Sequence, residues 1–371
     1  MSPGATDELP ERVRASVFVE AGAPLKERSL PLPTLEPGEA LVRVTCCTLC
    51  GSDLHTYLGK RHGPAPSVLG HEALGRIVAF GSGEPPRDGR GGTLSLGDRV
   101  SWSVAASCGD CFFCTRELPQ KCERLFKYGH ELCSGHRALS GGLGECCLLV
   151  RGTAIFRVPE DVPDVVASSA NCATATVAAA FRTVGGCREK VVVVQGAGML
   201  GLTAAAMAFV NGAVQVIVGD VDARRLEMAK RFGASTVVDV GSGANAMSEC
   251  VKRATDGRGA DLILEMSGGT DAVREGLSWL RTGGQYVLVG AVKPVGAVAL
   301  DIEQMVRRMW NLHGVHNYAP ADLAAAIDFI SGNWRRFPFT ELVTGEYSLD
   351  EADAAFQSMV ATGAIRVAVR P

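Results

Sequence analysis

The chain has 371 residues, 47% hydrophobic and 21% charged, and its 37 basic and 40 acidic side chains leave a formal charge of −3. That length predicts two domains on a prior of about 150 residues each, and the near-neutral balance offers no basic patch to nucleic acid. No apolar run approaches the ~20 residues of a membrane span, and residues 1–10 show neither the basic n-region nor the apolar core of an export signal. Thirteen cysteines, an odd number, are expected to sit reduced in a cytoplasm.

In chain order, short strand-like runs at residues 40–44, 75–79 and 145–150 are separated by Gly and Pro, and they predict a β-rich, barrel-like domain. Residues 81–92, rich in Gly and Pro, read as a surface loop between them. Cys108, Cys111 and Cys114 stand three apart, and Cys122 follows close behind. Four thiolates at this spacing suit the closed tetrahedron of a structural zinc, with Zn–S bonds of about 2.3 Å. A disulfide between cysteines three apart is strained, and a chain of this size needs no staples. A second set is scattered: Cys50, His71 and Cys172. Each is weak alone, because a single cysteine is more often a small buried hydrophobe. Together they make three protein ligands with a fourth position open, the composition of a catalytic zinc site. Cys46, Cys47, Cys133, Cys146, Cys147, Cys187 and Cys250 match no ligand spacing and are expected to pack.

Composition changes near Asn171, after which strands alternate with helices. The apolar run at 191–195 suits a strand buried on both faces. It leads into Gly196, Ala197, Gly198, Met199, Leu200 and Gly201, and then into a helix-like stretch at 202–210. Strand, tight turn and helix N-terminus in that order make a pyrophosphate cradle. Asp220 ends the next apolar run, where a carboxylate accepts hydrogen bonds from the ribose hydroxyls of NAD. Arg224 and Arg225 are expected to flank the adenine or to lie on the surface of a helix at 224–232 that Gly233 closes. Further strands at 260–265 and 285–290 complete a doubly wound parallel sheet, and the tail holds a helix at 320–330 and a last strand at 364–369.

Taken together, Cys50-Gly-Ser52-Asp53-Leu-His55, Gly70-His71-Glu72, Gly97-Asp98-Arg-Val, the four-cysteine segment, Cys172, the glycine turn and Asp220 resemble the zinc-dependent medium-chain alcohol dehydrogenases nearly end to end. The resemblance implies an α/β protein in two parts: a GroES-like β-rich catalytic domain, residues 1–172 with 316–371 returning to it, and an NAD-binding Rossmann domain, residues 173–315. It also implies two zinc ions and NAD as cofactors, a homodimer or homotetramer, and hydride transfer between an alcohol and nicotinamide with zinc as Lewis acid. Ser52 and His55 match the family's proton relay; a turn or cap and a surface imidazole are their ordinary alternatives. Asp53 matches the carboxylate that orients the histidine ligand, and it is also placed to cap a helix. Glu72 reads as a neighbour or transient ligand of the metal, or as half of an ion pair.

Cys172 stands where polyol and threonine dehydrogenases of the family commonly carry glutamate, which favours an alcohol dehydrogenase type of site. The segments 170–176 and 313–318 resemble a bacterial subgroup associated with phosphonate catabolism. Lys60, Arg61 and His62 then stand near enough in sequence to meet an anionic substrate, or they form a solvated turn. A zinc-independent quinone or enoyl reductase of the same fold, and a non-enzymatic zinc and dinucleotide-binding protein, are the alternatives; the full ligand set weighs against both.

Overall fold

A computed structural model describes residues 9–243 and 245–371, so the reading of the first eight residues as free of an export signal lies outside the described residues. Two compact units emerge. One comprises the chain up to Cys108 with Arg124–Val158 and Gly345–Pro371; the other comprises Gly109–Glu123 and Pro159–Thr344.

The first unit is β-rich. Its largest sheet has seven strands, and Ala40–Thr48 runs through the middle of it. That strand pairs antiparallel with Glu72–Phe80 on one side and with Cys146–Leu149 and Arg366–Arg370 on the other. Most of its side chains are buried, so it forms part of a core with Ile77, Val100, Trp102, Leu148 and Ile155. Each fully buried side chain of this kind contributes about 1.5–3 kcal/mol. A second cluster anchors the short helix Gly51–Tyr57, because Tyr57 stacks on Phe356 with centroids 4.6 Å apart and donates its hydroxyl to Asp353 at 2.9 Å. The C-terminal helix Ala352–Thr362 thus holds in place a helix that carries candidate site residues.

The second unit contains six parallel strands in the order Thr236–Asp239, Gln215–Asp220, Val191–Gln195, Ala260–Glu265, Leu280–Leu288 and Asn311–Gly314. Counted along the chain this is 3-2-1-4-5-6, the doubly wound order whose crevice lies at the carboxyl ends of the central strands. Val192, Val193 and Val194 are fully buried, as a central parallel strand requires. The helices Met199–Val210 and Ala223–Arg231 follow the first two strands, and Gly233 continues the chain at φ +89°, a left-handed turn that favours glycine.

The units divide at Val158/Pro159 and Thr344/Gly345, not at 172 and 315. The cause is a helix pair. Pro320–Asn333 packs on Ala173–Thr183 within the second unit, and Arg182 grips Asp322 through two bonds of 2.6 and 2.9 Å. Asp322 also closes the helix start by accepting the backbone N–H of Ala319 at 2.8 Å. Only from Gly345 onward does the tail group with the first unit.

All seven cysteines assigned to packing are buried. Burial pushes the thiols of Cys146 and Cys187 up to about 11, which keeps them protonated and unreactive. Asp322→Ala is expected to lose about 1–2 kcal/mol by removing both the cap and the guanidinium partner. Denaturant unfolding of the variant against the parent measures this directly.

Candidate active site and metal centres

Cys50 caps the N-terminus of Gly51–Tyr57, and the carboxylate of Asp53 organises everything around it. One carboxylate oxygen accepts the Cys50 backbone N–H at 3.0 Å; the other accepts the Gly70 N–H at 3.3 Å and meets His71 Nδ1 at 3.0 Å. With Nδ1 held as the protonated nitrogen, Nε2 is the atom left for a metal. Ser52 Oγ lies 3.4 Å from that Nε2. Burial disfavours the imidazolium, but the charge and hydrogen bond of Asp53, with help from Cys50, outweigh it and push His71 up to about 10.

Glu72 is fully buried and engaged three times. Thr48 Oγ1 donates to it at 2.7 Å, and Arg366 forks onto both carboxylate oxygens at 2.7 Å each. The same guanidinium reaches Cys50 Sγ at 3.5 Å. Burial raises the Glu72 pKa above the ordinary carboxylate range, while the charge of Arg366 pulls it back. The ligand atoms of Cys50, His71 and Glu72 lie within 4.8 Å of one another, with Glu72 committed to its ion pair. A thiol with a guanidinium beside it and an imidazole fixed by a carboxylate form a donor set that fits zinc.

Arg366, Thr48 and His130 were not visible as site residues in the sequence. The His130 ring packs against His71 with centroids 5.4 Å apart. His55 lies one turn after Ser52 on the same helix, and its carbonyl accepts the backbone N–H groups of Lys60 and Arg61 at 2.8 and 3.1 Å. Of the three basic residues there, Lys60 and His62 are exposed and Arg61 is half-buried.

In the second unit, Cys172 is half-buried between the turn Ser168–Asn171 and the helix Ala173–Thr183. Its carbonyl accepts the Thr176 hydroxyl at 2.7 Å, and the preceding carbonyl, that of Asn171, accepts the Tyr318 hydroxyl. His316, from the same segment as Tyr318, accepts from Lys121 Nζ at 2.8 Å.

Cys108, Cys111, Cys114 and Cys122 bring their sulfurs within 4.8 Å of one another in one continuous loop. The loop has only short helical turns, and Phe112 and Leu118 are exposed on it. Four cysteine sulfurs converging in one loop are a donor set that fits a zinc acting as a cross-link.

The glycine turn fits a pyrophosphate for three separate reasons. Gly196 adopts φ +93°. A Cβ on Gly201 would sit 1.8 Å from the Gly196 carbonyl oxygen, so only glycine lets the helix approach the turn. At Gly198, the N-cap of Met199–Val210, a Cβ would meet nothing within 4 Å, which leaves the helix N-terminus open to a ligand. Asp220 ties this turn to its neighbour by accepting the N–H of Ala197 at 2.6 Å and of Asp222 at 2.9 Å. Asp222 caps the next helix through the N–H groups of Arg224 and Arg225, and it pairs with the Arg224 side chain at 2.9 Å. Arg224 is therefore folded back along its own helix.

A doubly wound sheet with this turn, in a chain that also holds the Cys–His donor pair and the tetrathiolate loop, defines an oxidoreductase that pairs a dinucleotide with zinc. Comparison with known proteins gives the family. Residues 36–160 match the alcohol dehydrogenase GroES-like domain and residues 200–332 the zinc-binding dehydrogenase domain. The 5-exo-hydroxycamphor dehydrogenase of Pseudomonas putida is 30% identical over 95% of this chain and 96% of its own. The sorbitol dehydrogenase of Halalkalibacterium halodurans is 31% identical over 92% and 94%. The crystal structure of an alcohol dehydrogenase from Thermotoga maritima superposes with a TM-score of 0.91 at 30% identity, covering 97% of this chain and 99% of that one. The chain belongs to the zinc-dependent medium-chain alcohol dehydrogenase family, and it is an enzyme of alcohol oxidation and reduction.

Asp53→Asn is expected to weaken zinc binding at the Cys50–His71 pair by about 10–100-fold, because the imidazole loses its orienting carboxylate. Competition against a chromophoric chelator reads this out. Gly201→Val is expected to abolish dinucleotide binding in calorimetry while both metals remain bound.

Proposed function

We propose that the chain oxidises a primary or secondary alcohol with NAD, with Cys50, His71 and Cys172 holding the catalytic zinc and the four-cysteine loop holding a structural one. The substrate in this reading is an anionic hydroxyalkyl phosphonate. The observation that carries the site is the fixed His71: Asp53 holds Nδ1, and Ser52 Oγ stands 3.4 Å from Nε2. Zinc held by Cys50, His71 and Cys172 would supply Lewis-acid polarisation of the alcohol oxygen, and NAD held on the glycine turn would supply the hydride acceptor. Ser52 takes the hydroxyl proton, and His55, one turn further along the helix, passes it toward solvent. Arg366 holds Glu72 and stabilises Cys50 as thiolate.

Asp220 selects NAD. A 2′-phosphate placed ~4 Å from its carboxylate is repelled by about 4 kcal/mol at an effective dielectric near 20. Arg224 is paired with Asp222 and so is a poor receptor for that phosphate. A cytoplasmic setting belongs to the same reading; no helix among the described residues is long and apolar enough to cross a membrane. A homodimer or homotetramer belongs to the same reading. It is supported by Ile302, Val306 and Met309, 70–74% exposed beside the edge strand Asn311–Gly314.

Elemental analysis of fully loaded protein is expected to find two zinc ions per chain. Cys172→Ser should retain one and lose turnover while folded, whereas Cys111→Ser should chiefly impair folding; one zinc per loaded wild-type chain overturns the assignment. Asp220→Ala should weaken both cofactors, since the Ala197 N–H loses its acceptor, and should narrow the ratio of kcat/KM for NAD over NADP. A native preference for NADP would remove Asp220 as the discriminating residue.

A further inference from the structure

The parallel sheet reverses its strand order between Val191–Gln195 and Ala260–Glu265, so Glu265 stands at the carboxyl end of a strand that borders the dinucleotide crevice of such a sheet. The residue is only 1% exposed. One oxygen of its carboxylate, Oε1, accepts three donors from the turn that follows: the Ser267 N–H at 2.7 Å, the Ser267 hydroxyl at 2.6 Å and the Gly268 N–H at 2.7 Å. The Gly269 N–H joins the same chain by donating to Ser267 Oγ at 3.2 Å. Three successive backbone N–H groups therefore end, directly or through one hydroxyl, on a single oxygen. The other oxygen, Oε2, is buried and takes no hydrogen bond among the described residues.

The turn held in this way is wedged between the glycine turn and the end of the next strand. A Cβ on Gly196 would lie 3.0 Å from Ser267 Cβ and 3.1 Å from Ser267 Cα and N, so Ser267 packs directly on the first glycine of the pyrophosphate turn. Gly268, at φ +74°, passes so close to the neighbouring strand end that a Cβ there would lie 2.6 Å from the Gly290 carbonyl oxygen. The main chain fixes the root of the turn: the Met266 N–H donates to the Gln195 carbonyl at 2.9 Å, and the Glu265 carbonyl accepts the Val289 and Gly290 N–H groups at 3.0 Å each. From Ser267 to Gly269 the N–H groups rest instead on the Glu265 carboxylate and the hydroxyl bound to it.

We infer that Glu265 is a positioning residue for the dinucleotide: by gathering residues 267–269 onto one oxygen it holds Ser267 against Gly196, and so keeps the glycine turn in the shape that receives the pyrophosphate. Binding is strongest where the receiving backbone is already in place before the ligand arrives, because the cost of ordering it is then not taken from the affinity. The inference rests on dinucleotide binding at the glycine turn, and it adds a residue from a strand outside that motif. It assigns Glu265 no part in hydride or proton transfer.

The test is a fluorescence titration of the zinc-loaded enzyme with NADH, with Tm recorded for each variant. Glu265→Ala should raise the Kd for NADH by about tenfold, since three donors lose a common acceptor and the turn must be ordered on binding. Glu265→Gln should stay within about threefold of the native value, because its amide oxygen accepts the same three donors and its NH2 group takes the place of the oxygen that has no partner. A merely structural role would lower Tm and the amount of active enzyme but leave the Kd of the folded protein where it is. In turnover, the loss in Glu265→Ala should fall on KM for NAD, with kcat at saturating NAD changed by less than about threefold. Should Glu265→Ala not fold, Ser267→Ala, which removes one donor to Glu265 and the acceptor of the Gly269 N–H, should raise the Kd by about threefold. An unmoved Kd in the folded variant of this pair, or a Glu265→Gln as weak as Glu265→Ala, overturns the inference and leaves dinucleotide binding standing. A native protein that binds neither NADH nor NADPH overturns the dinucleotide reading itself, and the inference with it.

Discussion

The buried carboxylate of Asp53 is the interaction on which the site depends. It accepts from the backbone of Cys50, from the backbone of Gly70 and from the ring of His71, so one side chain ties a helix start, a strand entry and an imidazole together. An isolated carboxylate with no exposure would be very costly, and these hydrogen bonds are what make it tolerable. The geometry follows from the same bonds. Because Nδ1 is occupied, His71 presents Nε2 in a single orientation toward the sulfur and hydroxyl carried by the adjacent helix.

A second buried pair works alongside it. Arg366 meets Glu72 at two points and touches Cys50, so the last strand of the chain contributes a positive charge to a cluster otherwise rich in acids and thiols. Removing either partner of such a pair would leave a buried charge uncompensated, at a cost of about 3–5 kcal/mol. The tail of the chain therefore reaches the Cys50–Glu72 cluster as well as completing the sheet.

The dinucleotide turn is built by the same means. Asp220 accepts from Ala197 in the glycine turn and from Asp222 at the next helix start, so one carboxylate ties the two turns together.

By itself the sequence determined whatever is written in short-range pattern. The cysteine spacing from 108 to 122, the apolar run before Gly196 and the Gly-Ser-Asp step after Cys50 depend on neighbours a few residues away, where local geometry dictates which side chains converge. The strand at 191–195 and the helix beginning at Pro320 were legible for that reason. Tertiary structure alone decided the rest. Arg366 lies 294 positions from Glu72, and nothing in its flanking residues marks it as different from other arginines in strands. His130 meets His71 because Gly129 lets its turn press onto Gly70 and His71. The unit boundary was equally hidden: the helix Pro320–Asn333 shows an apolar face but not its partner, and the partner, Ala173–Thr183, lies more than a hundred residues earlier. Spacing specifies a motif because the backbone between its members is short and stiff; when the intervening chain is long, only packing determines which side chains meet.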